Sequence, residues 1–501
     1  MYMTLSDISF SEFIKDFKQA LNHLFHEQED INLLSQERGL PPSVLKGIMD
    51  MQPLSVAIPK EYGGRGSIVK ECLGVLSAAS YESLPLSLTF GINIALFLEP
   101  ISKYADEGVR KEIFDRFLEQ QNMGGLMITE PSYGSDALNM KTLNREIDGG
   151  YHIEGTKHWQ GLTGMADYWL IASRKELANG DLGRDIDFFI CDTAQPKQQI
   201  VVEEYYDNPG LYMIPYGLNK VDVNVPANYK LNPESTGIKM MLDILHRSRM
   251  QFPGMGMGFI TRMLDEAITH CRERIVGNCN LLGIDQVQFQ LSRMQSAYTI
   301  CSAMCARSCE ISGIEHNLAM EGLDANAMKA VVTDLMQESA QLLVQLSGSK
   351  GYRTSHIGGR GIMDSRPFQI FEGSNEMLYA QIAEMVTRPM KKQKLNNLFD
   401  FLKDFKATAQ SCEYFRKELS FNIGENLSQR KLVDLGRVLG RVICIGYVLM
   451  LEEKGFRKDL VENCITTVRQ EVASILTAFH FDNTVKVVED YSDNSSWMAF
   501  A

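Results

Sequence analysis

The sequence predicts a mainly α-helical protein with a small β domain set into its middle, and three observations carry that expectation. Apolar residues recur at helical spacing over about the first 120 residues. From Gly150 to about Leu231 the pattern changes to short β-rich runs separated by turn residues. Helical periodicity returns near Ile238 and continues almost to the end. Helices and strands are segregated rather than alternating, which excludes a Rossmann or TIM-barrel arrangement.

In chain order, SFSEFIKDFKQALNHLF repeats apolar residues at three and four, an amphipathic helix. SVAIPKEYGGRGS (55–67) breaks the helical pattern with Pro59 and the glycines 63, 64 and 66, suited to a tight turn. The middle runs YHIEG, YWLIAS, DFFICD, QQIVVEEYY and KVDVNVP read as strands. In the last, Val221, Val223 and Val225 alternate with Asp222 and Asn224, the period of a half-buried strand. GMGMG (254–258) has no strand before it, so its small residues are expected to let two helices approach closely rather than to bind a nucleotide. In 284–305, Val287, Leu291, Met294, Tyr298, Cys301 and Cys305 form one apolar helical stripe. VICIGYVLML (442–451) is too short to cross a bilayer and is followed by Glu452 and Glu453; a buried helix is expected there, and no transmembrane segment.

Composition narrows the function classes. Of 501 residues, 50 are Lys or Arg and 63 are Asp or Glu, so the chain carries a net charge of −13. That argues against nucleic acid as a partner, because neutralising phosphates needs a basic face. With 45% hydrophobic residues the chain has ample material for a core. The N-terminal MYMTLSDISFSEF lacks the basic region and apolar core of a secretory signal. The ten cysteines include no C-x-x-C pair, and Cys301, Cys305 and Cys309, in line on one helical face, cannot surround a metal without further ligands. Reduced thiols and a cytoplasmic location are expected, with no metal.

The segment GGLMITEPSYGSDALNMKT (124–142) places an irregular, hydroxyl-rich loop where the helical region hands over to the β region, and ligand sites favour such junctions. Its Thr129-Glu130-Pro131 and Gly134-Ser135-Asp136 resemble the T-E-P-x-x-G-S-D signature of the acyl-CoA dehydrogenase family. GTKHWQGLTGMADYWLIAS (155–173) resembles that family's second flavin segment, IPKEYGGRG (58–66) its N-terminal turn, and RPFQIFEGSNEM (366–377) its catalytic segment. The four segments come in the family's order over about residues 50–390.

The resemblance implies an N-terminal helical domain (1–123), a middle β-barrel-like domain (124–235), a C-terminal helical bundle (236–390) and an added helical extension (391–501). It implies FAD, an acyl-CoA substrate, an electron-transferring flavoprotein as acceptor, and a homo-oligomer, a tetramer or dimer. The implied reaction is oxidation of acyl-CoA to trans-2-enoyl-CoA, a step of fatty acid β-oxidation. A buried carboxylate makes a strong base, and the family's base is implied at Glu372. The alternative is a Glu at the start of a helix, favoured by the dipole, a part that Glu376 could take instead. Other family members carry the base before a mid-chain arginine; here Ser248 stands before Arg249.

For the flavin, the resemblance implies Met127, Ile128 and Thr129 along the ring, Trp159 against its face, and Ser374 beside it. Ser135 would reach the FAD phosphate or the CoA arm, and Arg249 and Gly373 would lie at the substrate. Arg274, Gln286, Gln345 and Gly348 are the positions expected to meet FAD, with Arg274 and the 345–351 turn reaching it from a neighbouring subunit. The chain departs from the family at Trp159-Gln160-Gly161, where W-I-T is usual, so a flavin-facing hydroxyl is missing unless Thr163 supplies it. It departs also at Gly348-Ser349 and at Met363-Asp364. An oxidase using O₂, or a non-catalytic FAD-binding relative, would share the motifs.

Overall fold

The computed structural model describes residues 8–424, 426–481 and 485–501; part of the N-terminal segment read above, residues 1–7, lies outside them. The N-terminal layer contains α1 (Phe10–Asn22), α2 (Val69–Glu82), α3 (Leu84–Asn93), α4 (Glu99–Tyr104) and α5 (Glu107–Gln120). Ser9 caps α1 through its side chain and Ser83 caps α3, each satisfying a backbone N–H that the first turn leaves unpaired. One turn of π-helix, Ile94–Leu98, joins α3 to α4. The stretch Leu84–Tyr104 has the length and apolarity to span a bilayer, but 94% of its most apolar 18-residue window is buried inside the molecule, as a core helix would be.

The middle sheet comprises β1 (Gly124–Met127), β2 (Leu143–Ile147), β3 (Gly150–His158), β4 (Tyr168–Lys175), β5 (Asp187–Asp192), β6 (Val201–Tyr205) and β7 (Gly217–Pro226). Its order is β1-β4-β2-β3-β7-β6, with β5 paired to β4. On β7, Val221, Val223 and Val225 are buried while Lys220 and Asp222 are exposed, the alternation read from the sequence.

The C-terminal bundle is built on three long helices, α6 (Gly237–Glu273), α7 (Asp285–Ile311) and α8 (Gly322–Ser347), followed by α9 (Ile357–Ser365) and α10 (Asn375–Lys392). The glycines of GMGMG lie inside α6 rather than ahead of a helix. A Cβ at Gly258 would collide with Ser77 O on α2, and one at Gly256 with Val332 on α8, so these glycines set how closely the helices approach. Cys301 Sγ of α7 lies 3.1 Å from Pro253 O, and Ser308 Oγ bonds Met250 O, so α7 runs antiparallel to α6. A two-stranded hairpin, Ile275–Val276 with Cys279–Asn280, joins them; its two-residue strands are too short to show in the periodicity.

The extension adds α11 (Gln429–Glu453) and α12 (Lys458–Phe479). α11 packs on α10 and α7, and α12 packs on α7 and α11. The apolar run 442–449 is buried, as expected, and the extension forms an added layer over the bundle.

Candidate active site

Glu372 sits in the loop between α9 and α10, with its backbone in the left-handed region at φ 53°, and Gly373 follows at φ 93°. Two successive positive φ values turn the chain sharply, and a non-glycine residue held there carries strain of about 1–3 kcal/mol that its surroundings must offset. Those surroundings are on α6 and α8. The Arg249 guanidinium donates to Glu372 O from Nε (3.1 Å) and Nη2 (2.7 Å), and Nη1 donates to Asn326 Oδ1 at 2.8 Å. Lys329 Nζ donates to Gly373 O at 2.8 Å and to Asn375 Oδ1 at 3.0 Å. Glycine is favoured at 373 by its φ of 93°; a Cβ there would meet only movable side-chain ends, Met377 Cε at 2.9 Å and Leu378 Cδ2 at 3.1 Å.

The carboxylate itself is held on one side only. Ser248 Oγ donates to Glu372 Oε1 at 2.8 Å, while Oε2 is buried with no hydrogen-bond partner among the described residues. Burial raises the Glu372 pKa above the usual carboxylate range; the Ser248 bond, Arg249 and Lys329 partly offset it. Burial also pulls the Lys329 ammonium down to about 7, against the opposing pull of Glu372. An orphaned, desolvated carboxylate oxygen is a group prepared to accept a proton. Glu376 is exposed in the first turn of α10, so it and not Glu372 fills the helix-dipole part.

Thr129 lies two residues beyond the end of β1. Its carbonyl accepts from His158 N (3.0 Å) and Gln160 Nε2 (3.1 Å), which brings it beside Trp159. Trp159 has φ 60° and is 51% exposed, its ring 4.6 Å from that of Tyr206 and 5.9 Å from Tyr216. Below this aromatic shelf, Lys157 Nζ donates to Ile128 O (2.9 Å) and Glu130 Oε1 (3.0 Å), fully buried. Glu130 in turn accepts from Lys141 N (2.6 Å) and Thr142 N (2.9 Å), clasping both ends of the exposed 131–139 loop. Burial works against the Glu130 carboxylate, but Lys157 and these amides outweigh it and hold its pKa low. Leu211 N donates to Asp364 Oδ1 at 2.7 Å, tying the β domain to α9, the helix that leads into the Glu372 loop.

The residues present fit a flat aromatic group. An exposed indole on an aromatic shelf offers a ring wall, and the 127–129 backbone and the Gly134-Ser135 loop offer polar contacts along an edge. Met127 itself is fully buried, so only its main chain can take part, whereas Ile128 and Thr129 are half-buried and Ser135 is exposed. At Gly161 a Cβ would meet Ile92 Cδ1 of α3 at 2.6 Å, the movable end of that side chain, so a larger residue there would need Ile92 to shift. Thr163 does not supply the missing hydroxyl; it is fully buried and bonds Gln160 O (2.8 Å) and Asn219 Nδ2 (3.1 Å).

Of the other expected positions, Ser374 is the N-cap of α10, its Oγ accepting from Met377 N at 3.4 Å. Arg249 is spent on Glu372 O and Asn326 rather than left free. Arg274, Gln286, Gln345 and Gly348 are exposed at one end of the bundle. The structure does not bring them to Glu372: the 26 residues from Ser248 to Arg274 along α6 span about 39 Å at 1.5 Å per residue. Lys329, Asn326 and Asn375 escaped the sequence reading. The one available signal was a lone Lys inside the apolar run NAMKAVV.

Comparisons with known proteins agree with this architecture. Residues 17–121, 125–221 and 235–387 match the N-terminal, middle and C-terminal domains of acyl-CoA dehydrogenase. The chain belongs to the acyl-CoA dehydrogenase family, and FAD is the cofactor that membership supports. It is 25% identical over 369 residues to a short-chain specific acyl-CoA dehydrogenase of Megasphaera elsdenii, covering 68% of this chain and 92% of that one. It is 22% identical to an acyl-CoA dehydrogenase of Bacillus subtilis, covering 75% and 97%. Among solved structures, an acyl-CoA dehydrogenase complexed with FAD from Bacillus anthracis superposes with a TM-score of 0.74 at 17% identity, over 95% of this chain and 88% of that one. The butyryl-CoA dehydrogenase of M. elsdenii does so with a TM-score of 0.65 at 20% identity, over 77% of this chain and 100% of that one.

Proposed function

We propose that the protein oxidises an acyl-CoA thioester to its trans-2-enoyl product, with Glu372 removing the α-proton. The observation that carries this reading is the buried Glu372 carboxylate with one unpartnered oxygen, held in a strained turn by Arg249 and Ser248. Bound FAD would supply the redox chemistry by accepting the β-hydride. Arg249 takes up the Glu372 carbonyl, so the turn presents its side chain and its amide to the substrate. A backbone N–H in that position suits the thioester oxygen, where negative charge develops as the proton leaves. Trp159 would close one side of the ring site against water, and Ser135, exposed in its loop, would meet the phosphate or CoA arm. An electron-transferring flavoprotein is the proposed acceptor, and the proposed assembly is a homo-oligomer in which Arg274 and the 345–351 turn serve a neighbour's FAD.

The test is rapid mixing of the FAD-loaded protein with a panel of acyl-CoAs, followed by turnover with an artificial acceptor. Flavin bleaching by at least one acyl-CoA is expected. Glu372→Gln should retain FAD and bleach slower by at least about 10²–10⁴-fold, because an amide cannot accept the proton. Bleaching of that variant at the parent rate overturns the assignment. Rapid reoxidation by O₂ alone would replace the dehydrogenase reading with an oxidase one.

A further inference from the structure

We propose that the C-terminal extension is part of the catalytic apparatus: Arg441 and Tyr379 are positioning residues that hold the Glu372–Gly373 turn through Asp334, Asn375 and Lys329. The proposal rests on the reading of Glu372 as the base.

A continuous chain of hydrogen bonds carries it. Lys329 Nζ grips Gly373 O at 2.8 Å and Asn375 Oδ1 at 3.0 Å. Asn375 Nδ2 donates to Asp334 Oδ1 at 2.7 Å. Tyr379 Oη donates to Asp334 Oδ2 at 2.6 Å. Arg441 Nη1, on α11 of the extension, donates to Tyr379 Oη at 2.6 Å. Its Nε and Nη2 donate to Glu471 Oε1 of α12 at 2.9 and 2.7 Å. Lys329, Asn375, Tyr379 and Arg441 are all buried. The turn carrying the carboxylate is therefore connected, donor to acceptor, to both helices of the extension.

Packing confines the chain to this geometry. A Cβ at Gly436 would collide with Tyr379 O, so α11 lies directly on the first turns of α10, the helix that begins just after Glu372. Gly440 continues the same face, with Tyr379 Cε1 at 3.5 Å from its Cβ position.

Charge gives the arrangement a reason. Burial disfavours the Lys329 ammonium, and Glu372 and Asp334 are among the groups that favour it. Asp334 is half-buried; Asn375 and Gln369 donate to its Oδ1 and Tyr379 donates to its Oδ2. Arg441 orients that hydroxyl, stands 3.8 Å from Asp334 Oδ2 and neutralises Glu471. Lys329 and Arg441 are the buried charges of the set, and loosening a partner of either leaves it less well compensated. A turn held at two positive φ values relaxes when its anchors loosen.

The test uses the full-length FAD-loaded protein and Tyr379→Phe, which keeps the ring and removes the oxygen that bridges Arg441 and Asp334 by hydrogen bonds, leaving only their 3.8 Å ion pair. Hydrogen exchange followed by mass spectrometry should show the amides of 370–377 exchanging at least about tenfold faster, with α11 and α12 unchanged. Acyl-CoA bleaching of the flavin should slow about 10- to 100-fold, with the acyl-CoA Kd within about threefold of the parent's, the split expected of a misplaced base. If Tyr379→Phe does not fold, Arg441→Lys decides: its single ammonium keeps the charge but loses the fork, and the same split should appear, smaller. Parent-like exchange in the 370–377 turn overturns the proposal, as does a loosened turn with an unchanged bleaching rate. A parent protein that no acyl-CoA bleaches would sink the functional reading instead, and the exchange measurement would still decide this one.

Discussion

Ser248 donates to Glu372 Oε1, and the direction of that bond determines what its loss would do. A donor favours the ionised carboxylate and works against the burial that raises its pKa. Ser248→Ala should therefore raise the Glu372 pKa further and leave less of the base ionised near neutrality. The acid limb of the pH–rate profile should move to higher pH, and the bleaching rate at a fixed pH on that limb should fall roughly 3- to 10-fold. An unmoved limb would show that the bond does not bear on the base. The same contact makes a relocation experiment sensible. Ser248→Glu in the Glu372→Gln background puts a carboxylate where Oγ now lies 2.8 Å from the original one, and part of the lost bleaching should return. The motif around Glu372 was legible because its residue types are contiguous. Lys329 and Asn326 were not, since each stands alone in an apolar helix and meets the turn only across sequence separations that no local pattern reports.

At the scale of elements, the contact between α4 and α6 contains a second buried acid with a testable consequence. Gln251 Nε2 donates to both oxygens of Glu99, at 2.9 and 2.8 Å. Burial pushes the Glu99 pKa up to about 7, with Arg247 and Gln251 opposing. The folded state then binds a proton that the unfolded state, with its ordinary value of 4.5, releases. Stability from this group is full below about 4.5 and is lost as pH rises towards 7, at most about 3 kcal/mol. Glu99→Gln should flatten the fall in Tm between pH 5 and 8 and raise Tm at the upper end, because an amide has no charge to desolvate. Thermal melts of parent and variant across that range read this out; parallel curves would contradict it. The alternation of β7 and the stripe of α7 were readable in the sequence because their apolar residues recur at the strand and helix periods, although α7 also packs against α8, α11 and α12. The substitution of Gly161 for a threonine was visible too, but its neighbour Ile92 of α3 lies in another layer.

For the molecule as a whole, the second set of expected FAD contacts lies at the far end of the bundle from Glu372. α6 runs antiparallel to α7. Arg249 meets Asn326, and Gly256 faces Val332 and Met336, so α6 and α8 run parallel. Arg274, Gln286 and Gln345 thus gather at one end of the bundle, exposed and far from Glu372. In the proposed assembly such a cluster would serve a site on another copy of the chain, and light scattering should then show a dimer or tetramer. Arg274→Ala should lower the FAD retained after gel filtration several-fold while leaving the fold intact, since an exposed arginine at a helix end holds little structure. A stable FAD-loaded monomer would contradict the shared site.

Although β1 and β2, before Gly150, were not read as strands, the order of the layers, the strands β3 to β7, the family signature and the candidate base Glu372 were written in local patterns, periods of 3.6 and 2 and contiguous motifs. Those features depend on neighbours within a few residues, so the chain states them directly. What holds the glutamate depends on packing between distant segments. Ser248 and Arg249 reach it from α6, Lys329 from α8, and Arg441 from α11 through Tyr379, Asp334 and Asn375. A buried ion or an orphaned carboxylate oxygen is defined by what surrounds it in space, and that is settled only when the helices close on one another.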